Sequence, residues 1–436
     1  MSPTGQALPD VLDAAQDASP VDAVEAVTRE LGKALGATAV SFLIADLSGR
    51  ALIRLTHTPL RAGVRAAAGG HTAQVREVGP AGVERLQERE SAKAVSFDGG
   101  PAEQAVRTQQ VQVVETGDRG WVVLAPVTER GEAIGLVELT MPTRPSPAQQ
   151  AEVARTAFVL AYVLIASRRH TDLFEWGQRS VPYSLSAEIQ RRLLPAALTC
   201  EAGAFTLSAW LEPAAEIAGD TFDYVLARDE LHLSMSDAMG HGVASALMAT
   251  LCLGALRNSR RRGVSLVEQA ASANSALHEH LTGEGQEGFV TGVLGRVDLP
   301  TGRLSLLNAG HAHPYLARRD RVEPVRVAPG LPLGLFSELE HGWAAVDLLP
   351  GDRVVFVTDG MLERNAEAVD LAALIRVSQH LHPREATRAL ADAVVRACGG
   401  DLADDATVMV LDWHGNHGRD RRTTSGAEVH RASPRS

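Results

Sequence analysis

Short apolar segments of strand length dominate the sequence from about residue 198 to residue 413, and they constrain the fold more than any other feature. Apolar runs of this kind, bounded by Gly, Asp or Asn, predict β-strands. The predicted strands are 206–210, 221–227, 232–236, 289–297, 303–308, 343–347, 353–358 and 406–413. The turn at 298–302 predicts a hairpin between two of them.

A small number of helical segments separates these strands. Apolar spacing predicts helices over 243–259, 266–281 and 383–397, with Gly399 beyond the end of the last one. Ser265 and Glu268 have the spacing of a capping box at the start of the second helix. Strands that are grouped around a few helices predict an α+β sandwich and disfavour a parallel sheet.

The first part of the chain predicts a separate α+β unit that ends near Pro142. Ser19 as N-cap and Pro20 at the first helical position predict a helix there, and residues 1–18 show no clear periodicity. Strands are expected over 39–45 and 50–56, followed by a late hairpin from 121–127 to 133–140.

A long helix then starts at Ser146 and Pro147 and runs toward residue 169. Its residues 157–166 are apolar around most of the circumference, so the helix should be buried in its own domain or against a second copy of the chain. The segment 184–194 predicts a short helix that Pro195 stops.

Charge and cysteine content limit the classes of function. The formal net charge of -11 disfavours nucleic acid and anionic membranes as partners. Three widely spaced cysteines form neither a disulfide framework nor a zinc knuckle, and Cys252 is expected to be a core residue. The apolar run 157–166 is too short to span a bilayer, and no secretory signal is recognisable at the start. We therefore expect a cytoplasmic protein without a membrane partner.

Acidic residues stand at strand ends or tight turns in the second part of the chain. They are Asp220, Asp237, Asp359 and the pair Asp404 and Asp405. Each one alone is better explained as a turn residue, because Asp and Gly dominate turns. Together, carboxylates that converge at the rim of a core predict a site for hard cations such as Mg²⁺ or Mn²⁺.

The segment from about residue 211 to residue 413 resembles the metal-dependent protein phosphatases of the protein phosphatase 2C-like class, in particular the branch of bacterial sporulation and stress-response phosphatases. The matching strings are AGDTFD (218–223), SDAMGHG (236–242), FVTG (289–292), NAGHAHPYL (308–316), LPLGL (331–335), PGDRVVFVTDGMLE (350–363) and DDATVMVL (404–411). The resemblance implies a β-sandwich flanked by helices and the hydrolysis of phosphoserine or phosphothreonine.

The resemblance also implies a set of metal ligands for two Mn²⁺ or Mg²⁺ ions. Asp220 and Asp237 would bind the second metal, with Asp237 bridging both metals and the carbonyl of Ala238 as a further ligand. Asp359 and Asp404 would complete the first metal, and an Asp-x-x-Thr alignment ending at Thr407 favours Asp404 over Asp405. Two such ions can activate a water for in-line attack on phosphorus.

One departure from the family pattern is visible at Ala218-Gly219, where the family usually has two glycines. The one-methyl difference is not expected to abolish metal binding.

Histidines are the remaining candidates for proton transfer. His241, in the string GHG, is a possible general acid, although a structural role is the stronger expectation. His311 is expected to be structural. His278 and His280 lie two apart on a predicted helix, so they should face different ways and make a poor metal pair.

The first part of the chain, about 21–168, resembles a GAF domain through GATAVSFLIADLSGRAL and the hairpin GWVVLAPVTERGEAIGLVEL. A sensing fold of the PAS type is the alternative. The resemblance implies a small-molecule ligand. SLSAEIQRRLLP (184–195) resembles the linker helix that precedes this type of catalytic domain.

The predicted organisation is therefore a GAF-like sensor domain over 19–168, a helical linker over 169–197, a phosphatase domain over 198–413 and a disordered tail over 414–436. The expected function is a serine/threonine protein phosphatase that the sensor regulates, as a homodimer. Its expected substrate is a phosphorylated antagonist of an anti-sigma factor. The alternatives are a metal-binding signalling scaffold without turnover and a small-molecule phosphohydrolase.

Overall fold

The computed structural model describes most of the chain in two units that divide near residue 182. The described residues are 7–46, 49–60, 94–97, 99–117, 120–178, 184–213, 219–285, 287–328, 330–362, 369–399, 402 and 404–415. The predicted tail over 414–436 falls almost entirely outside them and stays a prediction.

The first unit is a six-stranded antiparallel sheet with helices on both faces. The strand order is β3-β2-β1-β6-β5-β4. Its elements are α1 (Ala7–Asp17), α2 (Ala23–Leu35), β1 (Ala39–Ala45), β2 (Ala51–Pro59), β3 (Ala94–Ser96), α3 (Pro101–Thr108), β4 (Gln112–Glu115), β5 (Trp121–Glu129), β6 (Glu132–Met141), α4 (Pro147–Ser167) and α5 (Leu173–Gly177).

The late hairpin β5–β6 and the strands β1 and β2 confirm the sequence prediction for this unit. The predicted helix start at Ser19 is wrong, because α2 begins after Asp22. The Ser19 hydroxyl donates to the Asp22 carboxylate at 3.2 Å, whereas an N-cap hydroxyl would accept a hydrogen bond from a helix amide. Helix α1 was missed, although Leu8, Val11, Leu12 and Ala15 recur along it at helical spacing.

Helix α4 begins as predicted, with a complete capping box between Ser146 and Gln149. Among the described helices it is the one long and apolar enough to cross a membrane by length and composition, a property that core helices share. One side of α4, including Leu160 and Leu164, is buried in the core of the first unit. The opposite side exposes Phe158, Tyr162 and Ile165.

The second unit contains two antiparallel sheets, with strand orders β15-β12-β11-β10-β9 and β14-β13-β16-β17-β8-β7. Its elements are α6 (Leu185–Leu193), β7 (Thr199–Glu201), β8 (Phe205–Glu212), β9 (Thr221–Leu226), β10 (Glu230–Ala238), α7 (Gly242–Arg261), α8 (Leu266–Glu284), β11 (Val290–Asp298), β12 (Arg303–Ala309), β13 (Tyr315–Arg318), β14 (Arg321–Pro324), β15 (Trp343–Asp347), β16 (Arg353–Val357), a 3-10 turn (Asp359–Met361), α9 (Leu371–Val377), a second 3-10 turn (Ser378–His380), α10 (Pro383–Ala397) and β17 (Ala406–Trp413).

The two sheets face each other and form a sandwich with helices on both outer surfaces. Side chains of both sheets, such as Phe222 and Met235 of the first and Phe356 and Met409 of the second, share one buried core. Helices α7 and α8 cover the first sheet, and α9 and α10 cover the second. The predicted α+β sandwich flanked by helices is confirmed.

The capping box of Ser265 and Glu268 is present at the start of α8, and Cys252 is fully buried, which raises the pKa of its thiol to about 12. The strands β7, β13 and β14 were missed. Each is only three or four residues long, and such a segment is too short to show an alternating pattern.

Candidate functional site

The predicted acidic residues lie where strands of both sheets begin or end. Asp220 comes directly before β9, and Asp237 lies near the end of β10, the strand that pairs with β9. Asp359 follows β16, and Asp404 precedes β17, the partner of β16. Because the strands within each pair are antiparallel neighbours, each sheet brings its two acidic segments side by side.

Asp220 is a fully buried carboxylate of the site and is held by threonines of the second sheet. Its Oδ2 accepts hydrogen bonds from the hydroxyls of Thr358, at 2.7 Å, and Thr407, at 2.5 Å. Burial raises the pKa of Asp220 well above its ordinary value, and the nearby charges of Asp237 and Asp405 raise it further. These bonds join the loop before β9 to both β16 and β17 across the sandwich.

The second acidic pair is Asp404 with Asp359, on the more open side of the site. Partial burial raises the pKa of Asp404, and the charge of Asp359 raises it further. The backbone amide of Asp405 donates to Asp404 Oδ1 at 2.8 Å, while the Asp405 side chain itself is fully buried. Asp404 is therefore more accessible than its neighbour Asp405.

Two glycines permit the close approach of the acidic loops. A Cβ at Gly360 would lie 2.0 Å from the carbonyl oxygen of Asp405. A Cβ at Gly219 would lie 2.4 Å from the Ala238 carbonyl oxygen and 2.4 Å from Ser245 Oγ. Since real Cβ atoms do not approach this closely, both positions need glycine.

The carbonyl of Ala238, a predicted ligand, accepts a hydrogen bond from Ser245 Oγ at 3.1 Å. A carbonyl oxygen has two lone pairs. The bond to Ser245 therefore uses one of them, and the role of Ala238 as a ligand stays a prediction.

The donor set fits hard divalent cations in its chemistry. It consists of carboxylate oxygens; burial and then the charges of Asp237 and Asp405 raise the pKa of Asp220, and a cation between such groups would offset the repulsion. Within the part of the chain that the structure describes, no three His, Cys, Asp or Glu side chains are already spaced to hold one ion. The assignment of two metals to Asp220, Asp237, Asp359 and Asp404 therefore stays a prediction.

The histidines differ in their surroundings. His241 is exposed at the N-cap of α7, four residues after Asp237 in the sequence. His278 Nδ1 pairs with the carbonyl of Gly334 at 3.1 Å, which ties α8 to the loop after β14. That contact gives His278 a structural role, and the prediction that His278 and His280 make a poor metal pair stays a prediction.

His311 is a buried residue that is bonded to strand β11 of the first sheet. Its Nδ1 pairs with Thr291 Oγ1 at 2.8 Å, and Thr291 stands opposite Asp237 in the register of β10 and β11. Burial lowers the pKa of His311 to about 4, with a smaller opposing effect from the backbone of Val357. The expectation that His311 is structural agrees with this placement.

Two polar residues of the site were missed by the sequence analysis. The Thr358 hydroxyl donates to Asp220, but in the sequence Thr358 continues the apolar run of a strand. Gln190 lies on α6, outside the acidic motifs. The Nε2 group of Gln190 donates to the carbonyl of Asp220 at 2.8 Å and to Asp405 Oδ2 at 2.6 Å. The only sequence signal for Gln190 was that a polar residue stands on the inner side of a short amphipathic helix.

Residues 227–414 match the family model described as Stage II sporulation protein E (SpoIIE). This match covers less than half of the chain and lies within the second unit. Among curated proteins, phosphoserine phosphatase RsbU of Bacillus subtilis is 22% identical over 52% of this chain and 68% of its own length. Stage II sporulation protein E of the same organism is 25% identical over 45% of this chain and 24% of its own length. Phosphoserine phosphatase RsbP, also from Bacillus subtilis, is 22% identical over 37% of this chain and 40% of its own length. The chain thus spans less than half of the length of Stage II sporulation protein E and of RsbP.

Solved structures also align with the chain. The RsbU and RsbW domains of a protein from Mycobacterium tuberculosis align at a TM-score of 0.45 with 24% identity, over 54% of this chain and 64% of that one. The PP2C phosphatase domain of SpoIIE from Bacillus subtilis, with a fragment of its regulatory domain, aligns at a TM-score of 0.42 with 24% identity. The alignment covers 50% of this chain and 65% of that one.

Proposed function

We propose that the chain is a metal-dependent serine/threonine protein phosphatase that hydrolyses phosphoserine or phosphothreonine on a signalling protein. The observation that carries the proposal is the buried Asp220 carboxylate, which threonines of the opposite sheet hold near Asp237 and Asp405. Asp220 stands a few residues before the segment 227–414 that matches the SpoIIE model. A stability argument alone does not explain such a cluster, because buried like charges repel one another.

Some residues of the site would bind the metal ions, and others orient the residues that bind them. Mn²⁺ or Mg²⁺, as two ions, would supply charge neutralisation and an activated water when bound by Asp220, Asp237, Asp359 and Asp404. Thr358 and Thr407 both bond Asp220 Oδ2 and so fix the direction of the other carboxylate oxygen. Asp405 orients Asp404 through its amide. His241, exposed beside the site, is the candidate that would protonate the leaving alkoxide.

The test is turnover by the purified full-length chain. We expect Mn²⁺-dependent release of phosphate from a phosphoserine protein, and a chelator should stop it. Metal binding without any turnover would favour the scaffold alternative. Fast hydrolysis of free phosphometabolites together with no activity on phosphoproteins would favour the small-molecule alternative.

The proposed substrate is a phosphorylated antagonist of an anti-sigma factor, as for the family branch that the sequence resembles. The names of RsbU and RsbP, both phosphoserine phosphatases, support a phosphoserine protein as substrate. Mass spectrometry of candidate antagonists from the same cell, incubated with the enzyme, tests this point. Efficient turnover of an unrelated phosphoprotein alone would refute the sigma-factor role.

The loops at 283–288 and 337–342 are proposed to choose the protein partner, since loops on a rigid scaffold carry specificity. Residue 286 lies outside the described residues. Exchange of either loop should change the preference among phosphoproteins while activity on p-nitrophenyl phosphate is retained.

The first unit is proposed to be a GAF-like regulator of a cytoplasmic homodimer, with a small molecule as its ligand. Its six-stranded sheet with helices on both faces supports a sensing fold. The exposed Phe158, Tyr162 and Ile165 recur on one side of α4 and support pairing with a second copy. A monomeric mass in light scattering would refute the dimer. Recovery of the protein in the membrane fraction of lysed cells would refute the cytoplasmic location.

A further inference from the structure

Helix α6 stands directly before the catalytic sandwich and is anchored to it at two points. Near its end, the carbonyl of Leu193 accepts a hydrogen bond from the Arg257 guanidinium of α7 at 2.6 Å. The same arginine and Arg260 pair with the buried carboxylate of Asp223 at 2.9 Å. This end of α6 is therefore attached to β9 and α7 through charged hydrogen bonds.

The other anchor is Gln190, which reaches into the acidic site. The side chain is 4% exposed, and its Nε2 has two hydrogens. One is donated to the backbone carbonyl of Asp220 at 2.8 Å and the other to Asp405 Oδ2 at 2.6 Å. A single amide therefore fixes the distance between the loop before β9 and the segment before β17.

The effect of Gln190 extends to both acidic pairs of the site. Its bond to the backbone carbonyl of Asp220 holds the main chain at that buried aspartate. Its bond to Asp405 holds the residue whose amide donates to Asp404 Oδ1 at 2.8 Å. Groups that orient metal-binding carboxylates in this way control metal affinity, and their loss typically costs about 10–100-fold.

We propose that Gln190 is a positioning residue through which helix α6 sets the geometry, and hence the metal affinity, of the acidic site. The proposal rests on the proposed function, because it takes Asp220 and Asp404 as metal ligands. It makes α6 a part of the metal centre, and any shift of this helix along its axis would separate Gln190 from both of its acceptors.

The test measures Mn²⁺ binding to the full-length protein by titration calorimetry, which is independent of turnover. Gln190→Met keeps the length of the side chain and removes both hydrogen bonds, and we expect the dissociation constant for Mn²⁺ to rise about 10-fold or more. The turnover number at saturating Mn²⁺ should fall by a smaller factor, since the variant changes positioning and leaves every ligand in place. Arg192→Met is the matched control, because Arg192 is exposed on the same helix, and it should bind Mn²⁺ within about two-fold of the wild type.

A reversed hydrogen bond gives a second, independent readout. Gln190→Glu turns the donor into an acceptor facing Asp405 and should weaken Mn²⁺ binding at least as much as Gln190→Met. Adding Asp405→Asn supplies a donor on the other side, so the double variant should bind Mn²⁺ several-fold more tightly than Gln190→Glu alone. If Gln190→Met fails to fold, as judged by circular dichroism, this nearly isosteric pair decides the question.

Mn²⁺ affinities within two-fold of the wild type for both Gln190 variants would overturn the proposal, as would an equal loss in Arg192→Met. Absence of Mn²⁺ binding by the wild type would instead overturn the proposed function itself.

Discussion

Gly360 offers a sharp test of how closely the acidic loops must approach each other. Gly360 follows Asp359, and a Cβ at this position would lie 2.0 Å from the carbonyl oxygen of Asp405 and 2.9 Å from its carbonyl carbon. Contacts of a Cβ under 3.0 Å essentially do not occur. Gly360→Ala must therefore push the two segments apart by about 1 Å or more, because a close-packed interior cannot absorb the added atom.

The expected cost is worked from this displacement. Overpacking of a well-packed site typically destabilises a protein by about 1–3 kcal/mol. The displaced contact separates Asp359 from the segment that carries Asp404, so activity should fall by a larger factor than stability alone explains. A misplacement of about 1 Å can cost about 100-fold in rate.

Gly254→Ala is the matched control for this substitution. Gly254 lies inside α7, and a Cβ there would have nothing within 4 Å. An alanine at an unstrained helical position stabilises a protein by about 0.4–1 kcal/mol. This variant should therefore unfold at a slightly higher urea concentration and keep full activity.

The assay combines urea denaturation, which gives the free energy of unfolding, with Mn²⁺-dependent phosphate release. Gly360→Ala with the stability and activity of the wild type would refute the reasoning, since the acidic loops would then tolerate separation. A loss of stability with unchanged activity would refute the link between this contact and the site.

The remaining predictions concern two histidines. Burial lowers the pKa of His311 from 6.5 to about 4, so the unfolded chain binds more protons between these values, and stability should fall as the pH is lowered through that window. The shift corresponds to about 3 kcal/mol at 1.36 kcal/mol per pKa unit. Thermal unfolding of His311→Gln should therefore depend less on pH between about 6.5 and 4, and an unchanged pH dependence would count against this placement. For His241, loss of the proton donor in His241→Gln should lower the turnover number on a phosphoserine protein more than on p-nitrophenyl phosphate, whose leaving group needs no proton. An equal effect on both substrates would exclude His241 as the general acid.

Much of the catalytic fold could be predicted because its signals are local. Strand β17 and the capping box of α8 were predicted within a few residues, since an apolar strand bounded by turn residues and a Ser-x-x-Glu pair do not depend on distant parts of the chain. The start of α2 was wrong for the opposite reason. Ser19 and Pro20 form a good start signal, but Asp22 takes the cap position in the folded chain.

The positions of the acidic residues along the sequence predict a convergent site, which stays a prediction, and they do not indicate how Asp220 is held. The bonds from Thr358 and Thr407 to Asp220 link segments that are 138 and 187 residues away from it. The bond from Gln190 to Asp405 spans 215 residues. Such long-range polar contacts depend on the register of both sheets and on the placement of α6, and no local pattern encodes them.

The central claim is that convergent carboxylates make this chain a metal-dependent phosphatase, and Asp237→Asn tests it most directly. Asn is nearly the same size as Asp, and Asp237 is only partly buried, so the variant should fold like the wild type. The measurement is the rate of phosphate release from a phosphoserine protein over a range of Mn²⁺ concentrations, with circular dichroism of both proteins as the control for folding. The account predicts a saturable dependence on Mn²⁺ in the wild type and a rate lower by more than about 100-fold in the variant, beyond the loss seen for outer-shell groups. Equal rates in the two folded proteins would contradict it.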